Sequence, residues 1–231
     1  MADDFFRDSA AAGVVLSFLA YYAGLNIRKK SGRALLNPLL TAIVLVIGVL
    51  YIFDIDYDSY NSSAGYLSYF LTPATVSLAI PMYQKMQLLK KYPGAILFGI
   101  LSGAAASLVS VLVLSLMFGL THEQYVTLLP KSITTAIGMD VSAELGGIPS
   151  VTAAVIIITG LFGNMAAEPL WRLFGINNPI ARGISLGTAA HTIGTAKAME
   201  TGKVEGAMSS LSIVISGICT VALANLFSGF L

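Results

Sequence analysis

Charge is scarce in this sequence. Only 11% of its 231 residues are Asp, Glu, Lys or Arg, against about 25% in an ordinary soluble domain. With 56% of residues hydrophobic and a mean hydropathy of +0.80, the chain reads as an integral membrane protein. An excess of one sign of charge is also missing: the formal net charge is +1. There is no basic field to draw in nucleic acid, and that partner is excluded. Cysteine occurs once, as Cys219 inside the apolar run SIVISGICTVALANLF. No disulfide framework is possible, and the thiol reads as a small packing residue. Enzyme signatures are absent as well: there is no HExxH, no Gly-rich phosphate loop and no Cys/His metal spacing. An intramembrane hydrolase needs a nucleophile with a base, or paired carboxylates at depth, which one histidine among threonines does not supply. The chain is therefore expected not to be an enzyme and to carry no cofactor or metal. A basic leader is lacking too. MADDFFRDSAAAGVV is acidic before its apolar run, so that run is expected to be a retained span.

What the sequence has is greasy segments. About 20 mostly apolar residues cross the hydrocarbon layer as a helix, and such runs lie at Ser9 to Ile27, Leu36 to Phe53, Gly94 to Phe118, Val151 to Leu173 and Ala207 to Phe230. Three stretches fit less well. Ala64 to Tyr83 is broken by Pro73 and Pro81. Gly183 to Met199 is rich in Gly, Thr and Ala. Thr127 to Gly147 carries Pro130, Lys131, Asp140 and Glu144. Lys and Arg in short loops mark the cytoplasmic side. RKKSGR, Arg28 to Arg33, is basic and DIDYDSY, Asp54 to Tyr60, is acidic, so the first loop is expected in the cytoplasm and the N-terminus outside. Lys85, Lys90 and Lys91 agree with this if Ala64 to Tyr83 crosses. Arg172 and Arg182 also favour the cytoplasm, which requires one untidy segment to enter and leave on the same face.

Internal similarity emerges on overlay. LNPLLTAIVLVIGVLY lies over GIPSVTAAVIIITGLF with Pro38 on Pro149, an offset of 111. YFLTPATVSLAIPMYQKM then lies over ISLGTAAHTIGTAKAMET with Thr72 on Thr188, at 116, and YPGAILFGILSG over VEGAMSSLSIVISG with Gly94 on Gly206, at 112. The bland alternative is that apolar helices resemble one another by composition. Ordered matches of proline and glycine speak for a repeat of roughly 9–120 and 123–231 within a single transmembrane domain, 1–231. The expected fold is all-α and polytopic, with about seven to eight membrane segments in two structural repeats that contain interrupted or re-entrant helices.

Paired interruptions at corresponding positions are the mark of secondary transporters, whose substrate sites lie at the breaks. Here the breaks are LTPAT and LGTAAHTIGT. Irregular backbone in lipid persists only where protein or a water-filled cavity satisfies it. The amides freed at half-helix N-termini suit a carboxylate. Thr188, Thr192 and Thr195 offer hydroxyls, and His191 offers a donor that can gain a proton near neutral pH. PKSITT has the same character: Pro130 can open a helix at its first turn, and the hydroxyls of Ser132, Thr134 and Thr135 can cap amides or meet a ligand. Lysine at the bilayer centre costs about 2.5 to 3.5 kcal/mol, which makes Lys131 a functional candidate, against the plain reading that it snorkels to headgroups. His191 has its own plain reading, a histidine hydrogen-bonded for packing alone. Asp140 and Glu144 read as a solvated turn before Gly146 and Gly147. Gly99 and Gly103 form a GxxxG that permits close helix approach, and His122 beside Glu123 reads as a loop pair.

At PKSITTAIG, GGIPS and GTAAHTIGTAKAME the sequence resembles the LrgB/CidB family of bacterial membrane proteins. The likeness runs from about Leu36 through Phe230, and LNPLL near Asn37 and TPA at Thr72 to Ala74 fit it too. The resemblance implies a multi-pass protein of the bacterial inner membrane working beside a small holin-like partner of the LrgA/CidA type. It brings two accounts of function. One is modulation of murein hydrolase activity and autolysis. The other is transport, since the related plant protein is the plastid glycolate/glycerate translocator and bacterial pairs are linked to pyruvate uptake. The resulting expectation is a transporter of small monocarboxylates (glycolate, glycerate, pyruvate or lactate), homo-oligomeric and proton-coupled through His191. Its candidate binding residues are Lys131, Ser132, Thr134, Thr135, Thr188, His191, Thr195, Thr72, Pro73 and Asn37. The rival expectation is a non-transporting component that packs against a holin-like partner through surfaces such as Gly99 and Gly103.

Overall fold

The computed structural model describes residues 2–31 and 37–231; the side chains of Ala2, Leu71, Thr72, Thr75 and Leu89 lie outside the described set. The end of the basic stretch, Gly32 and Arg33, and the first residue of the second expected span, Leu36, therefore lie outside the described residues. The chain forms two compact units, 1–77 and 78–231. Among the described residues the secondary structure is helical, with no strand.

In the first unit, α1 (Ala2–Asp8), α2 (Ala12–Ser31), α3 (Pro38–Ile52) and α4 (Tyr57–Ala64) are followed by a 3-10 segment, Gly65–Phe70, and by α5 (Leu71–Ser77). α2 closes with Arg28, Lys29 and Lys30 in its last turn, where cations meet the negative end of the helix dipole. It packs on α3 and α4, held by Gly13 N donating to Ser63 Oγ at 2.8 Å and by a 2.7 Å bond between Ser17 Oγ and the Tyr60 hydroxyl. α3 starts where the sequence allows it: Asn37 accepts from the Leu39 amide at 2.8 Å and Pro38 occupies the first turn.

The second unit begins with α6 (Ala79–Gln84) and α7 (Met86–Lys91). From Gly65 to Lys91 the chain thus runs as a 3-10 segment and three short helices instead of one rod. Pro73 and Pro81 are each the third residue of a short helix, where a missing amide breaks no bond of the ladder. α8 (Pro93–Phe118), α9 (His122–Leu128), α10 (Thr135–Glu144), α11 (Pro149–Leu173), α12 (Pro179–Thr201) and α13 (Lys203–Ser228) follow. Three of these, α8, α11 and α13, are long and apolar enough to cross a membrane. Large apolar side chains stand outward on them, among them Phe98 (76% exposed) and Ile218 (67%).

α12 and α13 share the most extensive packing of the second unit. It depends on Gly183 and Gly187: a Cβ at either position would run into α13 backbone, at Glu205 and Ser209 respectively. One end of the core gathers Leu108, Val111, Tyr125, Val126, Leu129 and Ala224, with the Tyr125 hydroxyl donating to Phe227 O at 2.8 Å. GGIPS is tied down by Ile148 N donating to Thr127 Oγ1 (2.9 Å) and by Thr152 Oγ1, 2.9 Å from Thr127 O and 2.7 Å from Ser142 Oγ.

Four local expectations change. His122 and Glu123, expected as a loop pair, are the first two residues of α9, capped by Thr121. Pro130 does not open a helix; it lies in the turn after α9, with Lys131 N bonded to Leu128 O and Ile133 N to Pro130 O. Lacking an N–H, it ends the α9 ladder, and α10 begins only at Thr135. Asp140 and Glu144 are exposed as expected but belong to α10 itself, Glu144 being its last residue, with Gly146 (φ 84°) making the turn beyond. Gly99 and Gly103 are half-buried and face α12, opposite Ile184 and Thr188, so this GxxxG is an internal seam.

Candidate functional site

An open cavity of about 580 Å³ lies in the second unit, between α8, the 129–134 turn, α11 and α12. Its walls include Gly103, Ser107 and Ser110 from α8, Lys131 and Ser132 from the turn, Ile158, Thr159 and Phe162 from α11, and Thr188 from α12. Lys131 is the one charged residue among them.

The turn after Pro130 places Lys131 half-buried and Ser132 buried beside α8. Lys131 Nζ donates to Ser107 Oγ at 3.2 Å and to Ser132 Oγ at 3.1 Å, and Ser107 Oγ donates to Ser132 Oγ at 2.9 Å. The ammonium is therefore held by hydroxyl groups, with no carboxylate in this triangle. Thr188 reaches the cavity from α12, its hydroxyl donating to Ile184 O at 2.6 Å. This uses the threonine proton and leaves the oxygen lone pairs as its remaining hydrogen-bonding capacity.

α12 is broken at His191, whose backbone (φ 39°, ψ −125°) is non-helical. A positive φ at a non-glycine residue costs of order 1–3 kcal/mol and persists only where its surroundings enforce it. Here the enforcing contact is on α11: His191 Nε2 lies 3.0 Å from Ile156 O, and because a carbonyl only accepts, Nε2 carries a proton. The imidazole lies against Gly160, where a Cβ would come within 2.9 Å of His191 Cε1. The break falls at the centre of GTAAHTIGT.

Lys131, Ser132 and Thr188 thus come together at one cavity. His191, three residues beyond Thr188, turns its ring to α11, outside the lining. Thr195 is fully buried and bonds Ser209 Oγ of α13 at 2.7 Å. Thr134 occupies the N-cap position of α10 with no side-chain capping bond, and Thr135 is the first residue of that helix; neither lines the cavity. In the first unit Asn37 is committed to capping α3, and Pro73 is exposed in α5. The side chain of Thr72 lies outside the described residues. Among the described residues, no group of three or more His, Cys, Asp or Glu gathers as a metal site.

Sequence reasoning missed Ser107, Ser110 and Thr159, which sit singly in apolar runs and read there as small packing residues. It also missed the ion pair between Lys197 of α12 and Glu168 of α11, at 2.7 Å. The only advance signal was the spacing of Ser107 and Ser110, which puts both on one face of α8.

Comparison with known proteins gives the same family as the motifs. The profile of the LrgB-like family matches residues 17–230. YwbG of Bacillus subtilis (strain 168) is 36% identical over 216 residues, covering 94% of this chain and 96% of its own. The protein called antiholin-like protein LrgB in Bacillus mycoides (strain KBAB4) is 36% identical over 220 residues, covering 95% and 96%, and its namesake in Bacillus cereus (strain B4264) matches to the same extent. No solved structure matches significantly. With its motifs, its apolar helices and this match over nearly its whole length, the chain is a membrane protein and belongs to the LrgB-like family.

Proposed function

We propose that this protein carries small monocarboxylates of the glycolate, glycerate, lactate or pyruvate type across the membrane, without chemistry on the solute. The observation that supports this is the Lys131 ammonium at the cavity wall, bonded to two serine hydroxyls, with no acidic residue among the lining groups. One unpaired cation in a low-dielectric site favours one negative charge, and a second carboxylate would lie there uncompensated. The hydroxyls of Ser110, Thr159 and Thr188 line the cavity together with Ile158 and Phe162, a mixed polar and apolar wall that suits a small organic acid with a short carbon skeleton. In this reading the protein is a multi-pass component of the bacterial cytoplasmic membrane with its N-terminus outside. It comprises about seven to eight segments in two repeats, forms homo-oligomers and works beside an LrgA/CidA-like partner. Proton coupling runs through His191.

Uptake of labelled glycolate and pyruvate into proteoliposomes tests the proposal. Wild-type protein is expected to give saturable uptake above empty liposomes, and Lys131→Ala to lower it at least tenfold, the order expected when a charged hydrogen-bond partner is lost. Equal uptake by both proteins would remove Lys131 from the mechanism.

The relatives named antiholin-like favour a second reading. In it the chain moves no solute and instead assembles with a holin-like partner to influence murein hydrolase activity. That reading predicts no carboxylate uptake by the purified protein, alone or co-reconstituted with such a partner.

A further inference from the structure

We propose that Ser107 on α8 is a positioning residue that turns Lys131 and Ser132 into a two-donor fork for a single carboxylate group. Hydrogen-bond capacity carries the inference, which rests on the transport reading for the identity of the ligand. An ammonium has three N–H donors, and a serine hydroxyl has one donor and two acceptor lone pairs. Lys131 spends two donors, on Ser107 Oγ at 3.2 Å and Ser132 Oγ at 3.1 Å. Ser107 spends its one proton on Ser132 Oγ at 2.9 Å. Ser132 therefore accepts twice, from Lys131 and from Ser107. With both lone pairs occupied, its own O–H is left to donate, and it lies on the cavity wall. The third N–H of Lys131 is left in the same way. Two adjacent donors, one of them charged, match the two oxygens of one carboxylate.

Without Ser107 the fork loses its order. Ser132 regains a free lone pair, its hydroxyl rotates freely, and Lys131 keeps one fixed bond where it had two. The loss falls on recognition of the carboxylate. Ser107 needs no contact with the solute to have this effect.

The test uses the full chain in proteoliposomes, with labelled glycolate as probe, and compares wild type, Ser107→Ala and Ser107→Thr. Ser107→Ala is expected to raise KM about tenfold with Vmax within about twofold, and Ser107→Thr, which restores the hydroxyl, to return KM to within about threefold of wild type. An unchanged KM in Ser107→Ala overturns the assignment. So does equal impairment of Ala and Thr variants in Vmax, which marks a packing role. A second readout is independent of transport: acetic anhydride labelling of Lys131 relative to exposed Lys203 in detergent-purified protein, measured by mass spectrometry. Wild type is expected to label slowly at Lys131 and more slowly still with glycolate present. Ser107→Ala is expected to label several-fold faster with the glycolate protection reduced, and Ser107→Thr to restore both. If wild type takes up no glycolate, the transport reading fails, while the labelling ratio still decides the fork: no difference between wild type and Ser107→Ala overturns it.

Discussion

At the scale of single residues, the cavity separates donors from acceptors. Lys131 and Ser132 supply donors, whereas Thr188, having given its proton to Ile184 O at 2.6 Å, presents lone pairs. In the proposed transport, a lone pair accepts from a substrate hydroxyl and makes no bond to a keto oxygen. Thr188→Val, which keeps the branched shape, is accordingly expected to raise KM for lactate about fivefold, the worth of roughly one neutral hydrogen bond, and to leave KM for pyruvate nearly unchanged. Parallel uptake series with the two acids read this out. An equal shift for both would show that Thr188 does not distinguish them.

At the scale of elements, the decisive feature is the interruption of α12. Glycine and threonine lowered helix propensity from Gly183 to Met199, so a break was legible there. Its position was not. The break sits on His191 because α11 offers the Ile156 carbonyl at 3.0 Å and the space above Gly160. His191→Ala removes that bond and leaves a buried carbonyl with one partner fewer, at a cost of about 1–3 kcal/mol. Its thermal midpoint in detergent is expected to fall by several degrees, given about 2–4 °C per kcal/mol for a chain of this size. An unchanged midpoint would mean that the kink is held by its neighbours alone. Gly183 and Gly187, before the break, stood in the sequence only as part of a Gly-, Thr- and Ala-rich stretch. In the fold they let α13 approach the first half of α12.

At the scale of the whole molecule, the distribution of apolar surface is what a membrane protein requires. Phe98 and Ile218 stand outward on helices long enough to span, so their natural surroundings are lipid. A charge at either site should be opposed by the bilayer, at about 2.5–3.5 kcal/mol near its centre. Phe98→Asp and Ile218→Lys are each expected to lower the protein recovered in the membrane fraction several-fold, measured by quantitative blotting against the wild type. Substitution at Lys203, exposed at the start of α13, should not. Retention of both variants at wild-type levels would argue that these faces do not meet lipid.

Membrane character, the all-helical class, three of the five expected long apolar helices and the broken segments at Pro73 and around His191 were determined by the sequence alone. These depend on local quantities: apolar run length, the amide that proline lacks, and the low helix propensity of glycine and threonine. Membership of the family was legible too, in PKSITT, GGIPS and GTAAHTIGT. Only the tertiary structure decided which candidates share a cavity. Lys131, Ser132 and Thr188 do so because the turn after Pro130 and the seam at Gly103 bring α9, α8 and α12 together, and Ser107 joins them from 24 residues away. Thr195 and Asn37 looked equivalent in the sequence, yet one is locked to Ser209 and the other caps α3. A hydroxyl or amide in an apolar run shows only that a partner is needed, and the packing of other helices supplies that partner.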